Sequence, residues 1–370
     1  MTAPYILAYV NGEGCRGIMT MGMKRTMRDV AEAAQVSLAT VSRVSNGTGA
    51  VSPEVRERVK KAAQRLGVDL VRSNKTKIVA FVLSNRDMLH PFHSRVLVGA
   101  QKHCAARGWN MLFLSLDYSP TPPWNELHLP LILQRRDIVR AAILAGTNSQ
   151  NLLVSLTRRG LPFTVFGNNV VGEWHPEKCD VVWANDIDGA YEITRYLQSI
   201  GHRDIWYVGN CQLPWFARCY SGYRRAMEDA GLPPRLGGQH SEQAEEIGYL
   251  ATKSILARHD PVSAIYAGSD PTARGVYRAL RDCGILIPDD VSVVGHNDTE
   301  SGGLHPLLTT VREFPEQVGS YMAEMVLSRI DQPDLIPQQV TIPTELVKRE
   351  SCRPFSSDTQ GQTHETHSSP

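Results

Sequence analysis

The sequence lacks the features that would place it in a membrane or in an oxidising compartment. No apolar run approaches the roughly 18 residues that a membrane-spanning helix needs, so we expect no membrane partner. The apolar stretch at 5–10 is too short for a signal peptide and has no basic segment before it. The seven cysteines are scattered, without a CxxC pair, and indicate neither a disulfide framework nor a metal site. We therefore expect a cytoplasmic protein with reduced thiols.

Motifs typical of enzymes are also missing. No GxSxG, HExxH or P-loop pattern occurs, so we expect neither catalysis nor a cofactor. The residues at 12–17 do spell GxGxxG after a strand-like run, which is typical of dinucleotide-binding folds. That motif needs a crossover helix directly after it, and Gly22 with a following basic pair interrupts the segment first. We interpret 1–23 as a disordered extension outside the folded domains.

Charge is distributed unevenly although the whole chain carries a formal charge of only +1. Residues 24–77 contain 12 lysines and arginines but 5 aspartates and glutamates, so the rest of the chain is mildly acidic. A compact basic segment is typical of a nucleic-acid-binding module, because contacts to phosphate dominate affinity. By itself this charge is equally compatible with a solvated basic surface.

Helix start and stop signals in this basic segment predict three short helices. Thr26, with Asp29 three positions later, forms a capping pattern for the first helix. Ser37 can cap the second helix, which the Asn-Gly pair at 46–47 ends. Two helices separated by a tight turn are typical of a helix-turn-helix, whose second helix enters the major groove of DNA. The predicted segments are a turn at 35–37 and helices at 38–45 and 53–66, the last ending at Gly67.

The head closely resembles the lactose and galactose repressor family. The matching strings are MRDVAEAAQVSLATVSRVSNG at 27–47 and VSPEVRERV at 51–59. The resemblance implies that Leu38 and Ala39 read base edges and that Arg43 reaches into the major groove. The resemblance also implies that Thr40, Ser42 and Asn46 contact phosphates. We further expect Arg72 and Lys75, in the linker at 68–77, to contact DNA. An arginine can pair bidentately with guanine, which agrees with the place of Arg43.

Beyond residue 77 the chain alternates apolar runs with helical segments, which predicts parallel sheets covered by helices on both faces. Predicted strands are 78–83, 109–114, 141–145 and 163–166 in a first lobe, and 181–183, 204–208, 264–267 and 291–294 in a second. The predicted fold is therefore α/β, with a three-helix head before two doubly wound lobes. Residues 351–370 are polar, and we expect them to form a disordered tail.

The resemblance to the repressor family extends over residues 24 to about 350. It implies a body like a periplasmic sugar-binding protein, in which three crossovers join two lobes around a ligand cleft. We assign 78–180 and 312–338 to lobe one, and 181–311 and 339–350 to lobe two. Beyond the homodimer that we expect, the C-terminus carries no leucine heptads that would support further assembly.

Ligands of such lobes bind outside the carboxyl ends of the strands, so effector contacts belong in the loops that follow strands. Aromatic, amide and charged side chains in these loops suit a carbohydrate. The candidates are His90, Phe92, Asn168, Trp215, Arg218, Asp270 and Asn297. The sequence departs from the family pattern at two points. Cys219 stands where an effector-contacting arginine is common, with Arg218 displaced by one, and Asn297 stands where aspartate is usual, after the aromatic position that is His296 here.

Two functions share this body. The basic head favours a DNA-binding transcriptional regulator, a repressor acting at the nucleoid on double-stranded operator DNA and controlled by a carbohydrate effector. The alternative is a solute-binding protein of a transport system, which has the same two-lobed fold but needs a signal peptide.

The assignment of Arg43 to base readout predicts the effect of removing its side chain. Arg43→Ala should cost about 1 to 3 kcal/mol of specific operator affinity and relax the sequence preference, because most phosphate contacts remain. Titration of operator and unrelated duplexes at several salt concentrations measures this. An equal loss of affinity for every duplex would contradict the assignment.

Overall fold

The computed structural model describes residues 26–46, 51–68, 76–87, 90–238, 241, 243–299 and 301–355. The expected extension at 1–23, the linker contacts Arg72 and Lys75, and the tail from residue 356 lie outside the described residues. Among the residues that are described, no helix is both long and apolar enough to cross a membrane.

The head consists of three helices: α1 (Met27–Ala33), α2 (Leu38–Asn46) and α3 (Pro53–Leu66). α3 has the predicted bounds, and α2 begins at the predicted residue and extends one residue further, to Asn46. The amide of Thr26 donates to the Asp29 carboxylate at 2.5 Å, and Gly67 closes α3 in the left-handed conformation at φ 65°. The fully buried side chains of Val30, Val41 and Val59 hold the helices together.

Lobe one contains a six-stranded parallel sheet in the order β13-β7-β5-β3-β1-β2. Its strands are β1 (Ile78–Ser84), β2 (Asn110–Leu116), β3 (Ala141–Gly146), β5 (Phe163–Phe166), β7 (Asp180–Ala184) and β13 (Gln339–Ile342), beside a small pair, β4 (Asn148–Ser149) and β6 (Val170–Val171). Its helices are α4 (Pro91–Ala106), α5 (Leu131–Gln134), α6 (Gln150–Arg158) and α11 (Pro315–Asp331). Apolar side chains form a core on each face of the sheet.

Lobe two contains a second six-stranded sheet in the order β14-β12-β11-β10-β8-β9, in which only β14 is antiparallel to its neighbour. Its strands are β8 (Ile205–Val208), β9 (Arg235–Gly237), β10 (Ala264–Ala267), β11 (Ser292–Asn297), β12 (Thr309–Arg312) and β14 (Glu345–Val347). Its helices are α7 (Asp186–Ser199), α8 (Pro214–Asp229), α9 (Ala244–Ala257) and α10 (Asp270–Arg281). The predicted fold class is confirmed.

The chain passes between the two sheets three times, and two predicted boundaries are wrong. β7 pairs with β5, and β13 pairs with β7, so 180–184 and 339–342 belong to lobe one rather than to lobe two. The crossovers therefore follow β7, β12 and β13. The apolar run of β7 is nearly all buried. The sequence of such a buried strand does not indicate which of the two sheets it joins.

The predicted start of the tail is also wrong, because residues 351–355 pack against lobe two. Ser351 is fully buried, and its hydroxyl donates to the carbonyl of Val293 at 2.6 Å. The amide of Phe355 donates to the carbonyl of Ile200 at 2.8 Å, and its ring lies 5.7 Å from that of His202. The polar composition suggested disorder, but hydrogen bonds to lobe two hold residues 351–355 in place.

Two glycines allow α4 and α11 to pack in direct backbone contact. A Cβ added at Gly99 would lie 2.0 Å from the carbonyl oxygen of Glu316, and one at Gly319 would lie 1.9 Å from that of Val96. No side chain larger than hydrogen fits at either position without moving one helix away from the other. This contact joins the first helix of lobe one to the helix that returns from lobe two.

We expect Gly99→Ala to lower the free energy of unfolding by about 3 kcal/mol, because the added methyl group must separate two backbones. Urea denaturation measures the effect. Gly302→Ala is the matched control, since a Cβ there meets nothing within 4 Å. Equal stability of the two variants would show that the helices do not pack as described.

Candidate functional site

Helix α2 presents the predicted base-reading residues on one side of the head. Leu38 has 44% of its surface exposed, which is unusual for leucine, and Ala39 and Arg43 are exposed beside it. Thr40 and Ser42 are half-buried, while Val41 points into the core of the head. Asn46 is the last residue of α2, and its side chain lies outside the described part of the structure.

The turn before α2 is fixed by local hydrogen bonds. The amide of Thr40 donates to the Ser37 hydroxyl at 3.1 Å, so Ser37 caps the helix as predicted. Gln35 takes a left-handed φ of 52° in the turn between α1 and α2. A capped helix that exposes small and apolar residues with one arginine is the arrangement that docks into a major groove.

In the body, a cleft opens between the lobes at the carboxyl ends of the parallel strands. Five of the seven predicted effector residues line it: His90, Phe92, Asn168, Trp215 and Asn297. The guanidinium carbon of Arg86, which follows β1, lies 3.7 Å from the ring centre of Trp215, at the start of α8. This cation–π contact joins the lobes across the cleft.

The lobe-one wall of the cleft carries two neighbouring histidines. The rings of His90 and His93 are 5.1 Å apart, and the Nδ1 atom of each is buried without a hydrogen-bond partner among the described residues. Burial, with the nearby Arg86, lowers the pKa of His90 to about 4 and lowers the pKa of His93 well below its ordinary value. Both rings are therefore neutral at pH 7. Only His90 was predicted from the sequence.

The Asn168 amide is used within the protein although it lines the cleft. Its Nδ2 donates to the carbonyl of Ala184 at 2.9 Å, and its Oδ1 accepts from the amide of the same residue at 2.9 Å. The amide therefore pairs with the N–H and C=O of the last residue of β7, as a neighbouring strand would, directly before the crossover. Asn168 therefore positions the crossover.

Two predicted effector residues are not on the cleft wall. Asp270 is fully buried and accepts a hydrogen bond from Thr310 Oγ1 at 2.8 Å. Arg218 pairs with Asp186 through contacts of 2.7, 2.9 and 3.0 Å. Both residues follow strands, which was the basis of the prediction, but their side chains face protein partners instead. Asp186 lines the cleft instead.

Beneath Asn297, the floor of the cleft contains a group that sequence reasoning missed. The His296 ring is buried, its Nδ1 lies 2.7 Å from the Tyr266 hydroxyl, and its Nε2 lies 3.5 Å from Oε1 of Glu313. Burial alone would lower the pKa of His296, but the effects of Cys219 and Glu313 outweigh it and raise that pKa well above its ordinary value. The departure from the family pattern at His296 was the available signal. Within the described residues, no three His, Cys, Asp or Glu side chains are grouped as a metal site requires.

A helix-turn-helix head followed by two lobes around a cleft defines the ligand-binding transcriptional regulators. Residues 26–67 match the model of the bacterial regulatory proteins of the lacI family, and residues 194–352 match a periplasmic binding protein-like domain. The chain therefore has a DNA-binding head of the lacI-family type before a periplasmic-binding-protein-like domain, and it is a DNA-binding transcriptional regulator.

Several known proteins are similar over nearly the whole chain. The HTH-type transcriptional repressor PurR of Actinobacillus pleuropneumoniae serotype 3 (strain JL03) is 27% identical over 341 residues, covering 89% of this chain and 98% of that protein. The regulator DegA of Bacillus subtilis (strain 168) is 28% identical over 347 residues, covering 90% and 100%. The solved complex of the regulator CelR with cellobiose has 27% identity and a TM-score of 0.64, covering 89% and 100%. These relatives are transcriptional regulators rather than enzymes, and they do not support the transport alternative.

The ion pair between Arg218 and Asp186 predicts a structural effect of mutation. Only 3% of the Asp186 side chain is exposed, so Arg218→Ala leaves a buried carboxylate without its counter-charge. We expect the free energy of unfolding to fall by about 3 kcal/mol, as measured by urea denaturation.

Arg225→Ala is the matched control, because its pair with Asp188 lies at the surface with 49% and 53% of the side chains exposed. We expect this variant to lose at most about 1 kcal/mol. A loss as small in Arg218→Ala would mean that Arg218 does not act as the structural partner of Asp186.

Proposed function

We propose that the protein is a dimeric repressor whose affinity for operator DNA is set by a carbohydrate bound between its lobes. The observation that carries this proposal is the cleft itself, which holds Trp215 and Phe92 beside neutral histidines and amides. Aromatic faces pack against sugar rings, and neutral donors and acceptors suit hydroxyl groups. The similar regulator CelR was solved with cellobiose, which is a neutral carbohydrate.

The head supplies the DNA-binding function. Leu38, Ala39 and Arg43 form its base-reading surface, and Thr40, Ser42 and Asn46 are its phosphate contacts. The exposure of the first three on α2 supports these roles, because a buried side chain could not reach a base edge. We place the protein in the cytoplasm at the nucleoid, where its DNA target is found.

A homodimer fits an exposed edge of lobe one. Among the described residues, strand β2 pairs only with β1, and its residues Met111, Leu112 and Phe113 are half-buried. Val98, on the adjacent α4, has 43% of its surface exposed. Apolar side chains at a sheet edge are costly in water, and a second copy would cover them. Two heads would then read two half-sites of a near-palindromic operator.

The proposed effector response depends on Trp215. We expect Trp215→Ala to weaken carbohydrate binding about 10- to 100-fold, which corresponds to about 1.4 to 2.8 kcal/mol, while operator affinity without the carbohydrate is retained. Fluorescence anisotropy on a duplex selected from a random pool, with and without cellobiose or ribose, measures both quantities.

Trp124→Ala is the matched control, because Trp124 is also stacked with an arginine, Arg158 at 5.7 Å, but does not line the cleft. Its carbohydrate response should equal that of the unmodified protein. Failure of every carbohydrate to change operator affinity in the unmodified protein would refute the proposed effector class.

A further inference from the structure

We propose that lobe one carries a second ligand site, for a small organic phosphate, in a pocket at the amino ends of its strands. The pocket has a volume of about 380 Å³ and lies beside the first residues of β3, β5 and β7. The effector cleft is at the carboxyl ends, so the length of a six-residue strand, about 20 Å, separates the two sites. The pocket is thus distinct from the cleft, and its ligand is independent of the carbohydrate effector proposed above.

The lining of this pocket has an excess of positive charge. Among the described residues, its charged side chains are those of Arg136, Arg140, Lys178, Arg329 and Asp180. The two carboxylate oxygens of Asp180 accept from the Arg329 guanidinium at 2.7 and 2.9 Å, and only 4% of the Asp180 side chain is exposed. Arg329 thus neutralises Asp180, and three cations remain that no other described carboxylate of the lining neutralises.

The three remaining cations make few polar contacts. Neither the Arg140 guanidinium nor the Lys178 ammonium has a hydrogen-bond or ion-pair partner in the part of the chain that the structure describes, although Arg140 is half-buried. Arg136 Nη1 donates to the carbonyl of Arg159 at 3.4 Å, which is a weak contact. Burial raises the pKa of the Cys179 thiol in the lining to about 11, so no thiolate supplies negative charge there at pH 7. Like charges that converge without a counter-charge repel, and a bound anion removes this repulsion.

The rest of the lining is mostly apolar, and an inorganic ion alone would leave it exposed to water. Its apolar members are Leu161, Pro162, Phe163, Ile330, Pro333 and Pro337. Ligand pockets of this size typically combine such walls with a small number of placed charged groups. A molecule with a phosphate group at one end and an apolar or aromatic body therefore fits both parts of the pocket. A phosphate dianion balances more of the three charges than a single carboxylate does.

One wall of the pocket is fixed by the protein itself. Besides pairing with Asp180, the Arg329 guanidinium donates to the carbonyls of Pro333, Leu335 and Ile336, in the loop that joins α11 to β13. Proline restricts the backbone of the same loop. A wall that is already in place lowers the entropy cost of binding a ligand. Arg329 is therefore a structural residue of the pocket, and the three unpaired cations are the ones that meet the phosphate.

The pocket borders the place where the chain enters lobe one from the head. The Thr76 hydroxyl donates to the carbonyls of Asp137 and Ile138 at 2.8 and 2.5 Å. The Arg140 amide donates to the carbonyl of Ile78, the first residue of β1, at 2.9 Å. The segment that carries the two unpaired arginines thus holds the start of β1, and a ligand bound to them contacts the segment that anchors the linker.

Two other occupants fit the pocket less well. The linker at 68–77 carries Arg72, Lys75 and Lys77 against a single aspartate, so like charges oppose its entry. Operator DNA supplies phosphates, but the backbone of a duplex is convex and would leave the apolar walls unfilled. A small ligand, in contrast, can bury most of its surface in a concave pocket.

The test is the affinity of the full chain for phenyl phosphate and adenosine monophosphate, measured by titration calorimetry. Inorganic phosphate and phenol supply the two parts of phenyl phosphate separately. We expect at least one of the two organic phosphates to bind more tightly than inorganic phosphate, and phenol not to bind. Arg140→Gln should lower this affinity about 10-fold and Lys178→Gln about 3-fold, because each removes a charge and its donors and Lys178 is the more exposed.

Lys102→Gln is the matched control, because Lys102 is likewise an exposed lysine of lobe one but lies on α4 and does not line the pocket. Its affinity for the organic phosphate should equal that of the unmodified protein. Trp215→Ala, in the cleft, should also leave this affinity unchanged. Melting temperatures without ligand show whether Arg140→Gln is destabilised, and in that case the exposed Lys178→Gln decides.

Failure of both organic phosphates to bind the unmodified protein would overturn the site. Equally tight binding of inorganic phosphate would refute the organic ligand. Binding that Arg140→Gln and Lys178→Gln leave unchanged, or that Lys102→Gln weakens as much, would refute the pocket, and binding that Trp215→Ala removes would place the ligand in the cleft.

The source of the phosphate is decided by operator affinity without added phosphate. We expect it to be the same in Lys178→Gln and in the unmodified protein, which supports a small ligand. A loss of operator affinity in Lys178→Gln but not in Lys102→Gln would assign the pocket to the phosphates of operator DNA and overturn the proposed ligand. None of these results changes the carbohydrate response, which is measured separately.

Discussion

Three short connections between two parallel sheets are the constraint on which the body of this protein depends. The chain leaves lobe one after β7, returns after β12, and leaves again after β13. Each passage occurs at the carboxyl ends of the strands, where loops and helix N-termini gather polar groups. The cleft and the connections therefore occupy the same place, and a ligand bound in the cleft lies against the segments that determine how the lobes are related.

Side chains beside the connections are used to hold them. The Asn168 amide closes the end of β7 by pairing with both backbone groups of Ala184. Arg218 neutralises Asp186 at the first residue of α7, and Asp298 joins Arg312 to Arg349 in lobe two. Buried charges near the cleft are thus mostly satisfied within the protein, as their desolvation cost demands. Glu313 differs because its contact with the His296 ring is long.

The two functions of the chain are separated by charge as well as by domain. Basic residues concentrate in the head and linker, where phosphate contacts provide affinity for DNA. The cleft instead combines neutral imidazoles, amides and aromatic rings with internally paired charges. A neutral ligand can bind there without competing for the surface that attracts DNA, so communication between the sites must be conformational.

Predictions from the sequence were most accurate where a local motif defines a structure. They were least accurate where the structure depends on which strands pair with one another. The capping pattern of Thr26 and Asp29 identified the start of α1, because a cap depends on residues three positions apart. The assignment of β7 to a sheet failed, since its buried apolar run carries no information about its neighbours. Asp270 and Arg218 were predicted to line the cleft and are not on its wall, because which way a helical side chain points depends on what packs against it.

The sequence by itself determined the three-helix head, the α/β class and the loops that surround the cleft. Helix caps, hydrophobic periodicity and the order of strands and loops all depend on residues close together in the chain. Only the tertiary structure decided which sheet each crossover strand joins, which polar groups are already paired, and that Glu313 meets His296. These facts depend on contacts between residues far apart in the chain. Their geometry follows from the packing of whole lobes, which no local pattern encodes.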